Sequence, residues 1–246
     1  TARAGCAAGY ARGYAAGRGG APRLAAVGGW PGVVPTFGAA VVVVSLALYT
    51  AVGRVSRHGV CTSPISTAGF ERVLQNRNVW MVVAVTFLGY SLYMVFNSWM
   101  PTYITRRFGV SLAESGAFVA LFPAVGILAR PTGGWLSDTV LARRRRPVFA
   151  ASFVGATVLA AGMLYSTTIA VLVTILVLAG VFIQLQIGLM YQSIQEFVDP
   201  SAAGTVVSIA SVAGWLGSFV APVVAGELVD TAGTYAALFP LAIVLG

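Results

Sequence analysis

Arg130 is the residue of this sequence with the clearest capacity for chemistry. It lies in Ala129-Arg130-Pro131-Thr132-Gly133-Gly134-Trp135-Leu136-Ser137-Asp138, the end of a long apolar run, and Arg143-Arg144-Arg145-Arg146 follows closely. A guanidinium offers planar, paired donors suited to a small oxyanion or a carboxylate. An ionised side chain inside hydrocarbon is costly and marks a functional site by default. The competing reading is a structural arginine bonded to backbone carbonyls or capped by the loop that follows. Asp138 is expected to act as a conformational latch, pairing with an arginine or a helix N-terminus in one state and releasing it in another. The block Arg143 to Arg146 is most economically a topology signal at the lipid surface.

Other polar side chains fall at helical spacing inside apolar runs. Tyr90, Tyr93 and Asn97 are three and four residues apart and share one helical face. Gln184, Gly188 and Tyr191 share another, with Gln186 nearby. In lipid such groups need partners, so they should face a bundle interior or a cavity. We therefore take Tyr90, Tyr93, Asn97, Gln184 and Tyr191, with Arg130, as candidate substrate contacts; helix–helix hydrogen bonding without substrate is an alternative at least as strong for Tyr90, Tyr93 and Asn97 singly, and is the usual role of a glutamine in mid-membrane. Glu196 and Asp199 lie at the boundary of a run and are not expected to carry protons. Cys6, Cys61 and His58 lack metal-ligand spacing, and no Ser/His/Asp, Cys/His or metal constellation is present. No catalytic residue, metal or cofactor is expected, and the chain is not expected to be an enzyme.

The elements that must hold these residues are membrane spans. Of 246 residues, 58% are hydrophobic and only 9% charged, far below the quarter or so charged in soluble domains. All 15 basic residues are arginine, against 7 acids, for a net charge of +8. These arginines sit between apolar runs, and none lies beyond Arg146, so no extended basic face serves a nucleic-acid backbone. Topology and anionic lipid explain them better. No cleavable signal peptide is evident, since the first thirty residues lack an uninterrupted apolar core.

Residues 1–32 are Gly/Ala/Arg-rich, with Gly5, Gly9, Gly13 and Gly17 every four residues. They fit a flexible low-complexity arm and a worn transmembrane helix equally well. Val33–Val52 is the first clear span, and residues 53–78 form an arginine-rich connection expected in the cytoplasm. Further spans are expected over about 79–103, 116–136, 147–166, 169–192 and 203–226. Trp99 and Tyr103 would anchor an interface, and Arg106 and Arg107 would fall outside, against the charge bias. Only Thr167-Thr168 would separate the fourth span from the fifth. Gly204, Gly214, Gly217 and Pro222 suit the sixth to close packing and bending. A seventh run starts near Tyr235 and ends after about a dozen residues, too few to cross.

Gly134-Trp-Leu136-Ser-Asp138 and Gly226-Glu-Leu228-Val-Asp230 each close a span, three spans apart. Three crossings reverse direction, so the matching ends face opposite sides, as in inverted three-helix repeats of secondary transporters. The stretch from Gly134 to Asp138, continued by Arg143 and Arg144, resembles the G-x-L-a-D-[RK]-x-G-[RK]-[RK] loop of the major facilitator superfamily. Thr139 and Leu141 depart from its basic residue and glycine. Gly217, Pro222 and Gly226 also resemble that superfamily's eleventh helix. The resemblance covers nearly all of residues 28–246.

It implies an all-α polytopic bundle, the C-terminal half of a major facilitator fold. Residues 1–32 would hold a degenerate helix five, 33–78 helix six and the central loop, and 79–246 helices seven to a truncated twelve. It implies alternating access between two six-helix halves in the cell membrane, with the N-terminal half as a partner beside membrane lipid and a small-molecule solute. Gly134, Asp138, Arg143 and Arg144 would form the latch loop. The context of Arg130 is similar to helix eight of nitrate/nitrite porters, where that arginine binds the anion, and also to porters of organic anions. A non-transporting fragment, or an exporter of a neutral or drug-like solute, is the alternative.

Overall fold

The computed structural model describes residues 20, 24, 25, 29, 31–50, 67–140, 144–198 and 200–246, without the side chains of residues 67, 68, 191, 195, 197, 200 and 201. Two compact units are present, residues 13–64 on the one hand and residues 1–12 with 65–246 on the other. The first contains α1, Pro31–Thr50. Proline is tolerated in its first turn, where no intrahelical N–H is required. Its threonines turn their hydroxyls onto the helix itself: Thr36 Oγ1 donates to Gly32 O at 2.6 Å and Thr50 Oγ1 to Ala47 O at 2.9 Å. Apart from Ser45, what remains outward is apolar, including Val41, Val42, Val43, Val44, Leu46 and Leu48. A helix apolar all round suits lipid. The glycine repeat from Gly5 to Gly17 and most of the 53–78 connection lie outside the described residues.

The second unit is built from α2 (Thr67–Gln75), α3 (Arg77–Phe108), α4 (Leu112–Ala124), α5 (Gly126–Trp135), a π-helical segment Leu136–Val140, α6 (Arg145–Leu164), α7 (Ile169–Phe197), α8 (Pro200–Ala232), a 3-10 turn Tyr235–Ala237 and α9 (Leu238–Leu245). With α1, six helical stretches among the described residues are long and apolar enough to cross a membrane, counting Leu112–Val140 as one. No strand occurs among the described residues.

Most spans outrun the apolar stretches that announce them, because polar caps rather than hydropathy end them. α3 starts where Asn76 Oδ1 accepts from Asn78 N at 2.9 Å and stops at Gly109, whose φ of +70° and N–H to Thr105 O close the last turn. α4 begins one turn before the apolar run in a reciprocal Ser111–Glu114 capping box. α6 ends at Leu164, so four residues, not two, lead to the Thr168 cap of α7.

The third span is not one straight helix. Pro123 and Pro131 lack the N–H that would bond one turn back, and α4 gives way to α5 at Val125. There Leu128 N and Ala129 N both donate to Val125 O, at 3.1 and 2.9 Å.

α7 packs against α3, α4, α5, α6 and α8; α3 also pairs with α8, and α6 with α9. The main core joins Leu92, Phe96 and Met100 of α3 to Phe122, Leu176, Ile183 and Phe239. Between lipid-embedded helices, close backbone approach replaces much of the hydrophobic drive. On α8, a Cβ at Gly217 would stand 2.5 Å from Phe87 O and one at Gly214 3.1 Å from the Tyr90 ring, while one at Gly204 meets nothing within 4 Å. Gly204 therefore does not contribute the close packing expected of it.

Trp99 and Tyr103 are likewise not lipid anchors. Trp99 donates its indole N–H to Pro222 O at 3.1 Å, and Tyr103 is buried edge-on against Phe239 with ring centroids 5.0 Å apart. The α8–α9 corner returns over the end of α3 and covers both.

Candidate functional site

Arg130 lies ten residues before the end of the span Leu112–Val140, about 15 Å along a helix axis. It is buried, and its Nε donates to Gln184 Oε1 of α7 at 3.0 Å. Gln184, wholly buried, donates its own Nε2 to Pro123 O at 3.3 Å. One amide thus spans the α4–α5 break: its oxygen receives the arginine of α5, and its nitrogen satisfies a carbonyl of α4. Engagement through Nε fixes the plane of the guanidinium.

Glycines make this approach possible. A Cβ at Gly126 would collide with the Gln184 amide, one at Gly188 with Arg130 O and Cα, and one at Gly133 would stand 2.6 Å from Leu185 O. Gly188, one turn beyond Gln184, therefore shapes the site without a side chain.

The aromatic face of α3 divides. Tyr93 is buried against Phe122 of α4, ring centroids 5.5 Å apart, whereas Tyr90 lies against Gly214 of α8. Asn97 is buried and turns Nδ2 back to Tyr93 O at 2.9 Å, leaving Oδ1 without a hydrogen-bond partner. Gln186 is also buried, its amide against Gly89 of α3 and its Oε1 without a partner. Arg130 and Gln184 are thus in direct contact, Tyr90 and Tyr93 serve different helix interfaces, and Tyr191 keeps only its helical position, its side chain being outside the description.

At the end of the same span, Asp138 falls in the π-helical segment and pairs through Oδ1 with Arg145 Nη2 at 2.8 Å. Arg145 also meets Glu196 of α7, from Nη2 to Oε1 at 2.6 Å and from Nε to both carboxylate oxygens at 3.2 Å. Arg145 is buried, while its two carboxylates are partly exposed. The arginine block is therefore not uniform: Arg144 and Arg146 are exposed, Arg145 is the centre of an ion cluster, and Arg143 lies outside the described residues. Arg144 serves through its main chain, accepting from Ser137 Oγ at 3.4 Å.

Arg145 and Glu196 are residues that loop spacing alone does not single out. A signal exists in the buried stripe of α6, Val148, Phe149, Ser152, Ala156, Ala160 and Met163; continued backwards by three residues, it reaches Arg145. Gly134, expected in the latch loop, lies instead in the last turn of α5, where a Cβ would stand 3.1 Å from Gln192 Oε1. No group of three or more His, Cys, Asp or Glu residues placed to hold a metal ion occurs among the described residues.

Six membrane-length helices among the described residues, a broken span carrying a buried arginine and an ion cluster at that span's end are the features of a polytopic membrane protein. The sequence matches the family model of the Major Facilitator Superfamily over residues 2–244, and the chain belongs to that family. It is 32% identical over 152 residues to the probable nitrate/nitrite transporter NarK2 of Mycobacterium tuberculosis, covering 60% of this chain and 36% of that protein. It is 26% identical over 220 residues to the nitrite extrusion protein of Bacillus subtilis, covering 88% of this chain and 53% of that one. It is 28% identical over 166 residues to the probable sulfoacetate transporter SauU of Cupriavidus necator, covering 65% and 38%. The chain matches at most about half the length of these relatives. The family and these relatives are transporters of small solutes.

Proposed function

We propose that the chain is the C-terminal half of a secondary active transporter in the cell membrane, moving a small anion, nitrate- or nitrite-like or an organic carboxylate, by alternating access. The observation that carries this is the Arg130 guanidinium, buried within a span and oriented by Gln184 across a helix break. An orientable, desolvated guanidinium matches the geometry of a planar oxyanion. The relatives named as nitrate/nitrite and sulfoacetate transporters share that anionic chemistry. Residues 79–246 correspond on this reading to helices seven to twelve, and residues 33–78 to helix six with the central loop.

Alternating access requires contacts that exist in one state and break in another. The Asp138–Arg145–Glu196 cluster is placed for that role: it ties the end of α5 and the start of α6 to α7, whose middle holds Arg130 through Gln184. A movement of α5 against α7 would be felt at both places. Tyr93, Asn97 and Tyr191 are proposed to complete the solute path with the N-terminal half, which is the proposed partner.

The test is anion binding by the purified chain, titrated calorimetrically with nitrate, nitrite and sulfoacetate. Arg130→Ala is expected to weaken binding of the preferred anion roughly tenfold to a hundredfold, the range for losing a charged hydrogen-bond donor. Arg130→Lys, which keeps charge but not the planar fork, should fall between. Helicity by circular dichroism checks that the variants fold. Wild-type affinity in the alanine variant would remove Arg130 from the site.

A further inference from the structure

We infer that a cavity at the end of the bundle away from the Asp138–Arg145–Glu196 cluster binds a phosphate-class oxyanion, either free in solution or carried on an anionic lipid headgroup. The cavity holds about 350 Å³, and Tyr103, Arg106, Arg107, Thr234, Tyr235 and Ala236 are among its lining. Two consecutive arginines close the last turn of α3. Among the described residues neither forms an ion pair with a carboxylate; the pairs present belong to Arg145.

Part of their placement has a local explanation, since cations favour a helix C-terminus. That does not explain the hollow between them and the α8–α9 corner. Its walls are built by specific contacts: Tyr103 is held edge-on by Phe239, and Tyr235 lies 6.2 Å from the ring of Trp99, itself tied to Pro222 O. Thr234 Oγ1 accepts from Ala236 N at 3.3 Å, which leaves its O–H to donate elsewhere. Two arginines and a threonine with a free hydroxyl donor in the lining of a cavity of this size supply the residue types that suit a tetrahedral oxyanion.

The position strengthens the reading. α3 and α8 both end here, and the linker containing Arg144 lies at the other end of the spans. Basic residues are disfavoured on the side opposite an arginine-rich loop, so Arg106 and Arg107 oppose the bias that orients the chain. A bound anion would neutralise them.

The inference is independent of the proposed transport site and is tested with Arg130→Ala as the background, so that anion binding at Arg130 does not contribute. Inorganic phosphate is titrated calorimetrically into the purified chain. In parallel, protein taken from vesicles of equal parts phosphatidylglycerol and phosphatidylcholine is weighed by native mass spectrometry for retained phosphatidylglycerol. Two variants are compared: Arg106→Gln with Arg107→Gln, and Ala236→Trp, which fills the cavity and keeps both charges.

At least a tenfold loss of phosphate affinity in both variants identifies a free anion as the ligand. Loss of phosphatidylglycerol retention in both, without phosphate binding, identifies a headgroup. If neither ligand binds the background protein, or if neither variant alters binding, the inference is overturned. It is also overturned if the charge variant alone loses binding, which is surface attraction rather than a site. Unchanged helicity confirms that both variants fold.

Discussion

An arginine in the interior of a span costs about 2.5–3.5 kcal/mol on insertion scales, and Arg130 meets that cost with specific company. Gln184 orients it, and Gly188 lets the two helices close around it. Arg145 is the other buried cation among the described residues, and its two carboxylates are partly exposed, so its pairing is weaker than a fully buried one. Arg145→Ala is expected to destabilise the chain by about 1–3 kcal/mol, between the values for surface and buried pairs. Asp138→Asn should cost less, because Glu196 remains. Thermal unfolding in detergent measures both, and limited proteolysis of the 141–144 linker should speed up in the same order. Equal stability of Arg145→Ala and wild type would mean that the cluster holds nothing together. Arg130 stands out in the sequence as a lone charge in an apolar run, and the partner that orients it, Gln184, is found only in the packing of α5 on α7. Arg145 does not stand out, because four adjacent arginines look alike until the register of α6 turns one of them inward.

At the scale of elements, most of the span order follows from hydropathy, and the errors fall where other physics decides. Capping residues extend α3 and α4 beyond their apolar stretches. Pro123 signals a break without fixing where α4 gives way to α5, since that depends on the partner that receives the exposed carbonyl, and Gln184 lies sixty residues away in the chain. The glycines of α8 show the same limit. Composition marks Gly204, Gly214 and Gly217 alike, but only contact with α3 separates them. Gly188→Val should therefore cost about 1–3 kcal/mol through overpacking against the Arg130 backbone. Gly204→Ala, with open space around it, should be neutral or stabilise by up to about 1 kcal/mol through helix propensity. Thermal unfolding in one detergent compares the two directly; a greater loss for Gly204→Ala would reverse the packing assigned to these helices.

At the scale of the molecule, the proposed topology alternates direction between successive spans of residues 77–246. The proposed orientation puts the linkers after α3 and α6 outside the cell and the linker between α5 and α6 inside. Single cysteines in a background lacking Cys6 and Cys61 test this in oriented cells with an impermeant maleimide. Val110→Cys and Thr167→Cys should label from outside, and Arg144→Cys only after permeabilisation. Labelling of Arg144→Cys in intact cells would invert the orientation. The two short matching span ends, Gly134 to Asp138 and Gly226 to Asp230, do not behave alike: Asp138 is ion-paired and Asp230 is exposed. A shared motif thus leaves the partner to the surrounding helices.

The five π-helical residues Leu136–Val140 carry a consequence for the length of the chain. Wider i to i+5 hydrogen bonding holds one residue more in the turn than an α-helix would. A single deletion within the segment that spares Asp138 would therefore let it relax to ordinary α geometry with the register on either side kept. One inserted residue meets no such slack and would turn the chain beyond it by about 100°. The segment is thus more tolerant of losing a residue than of gaining one, and its count of residues is as much a part of the pairing as their identities.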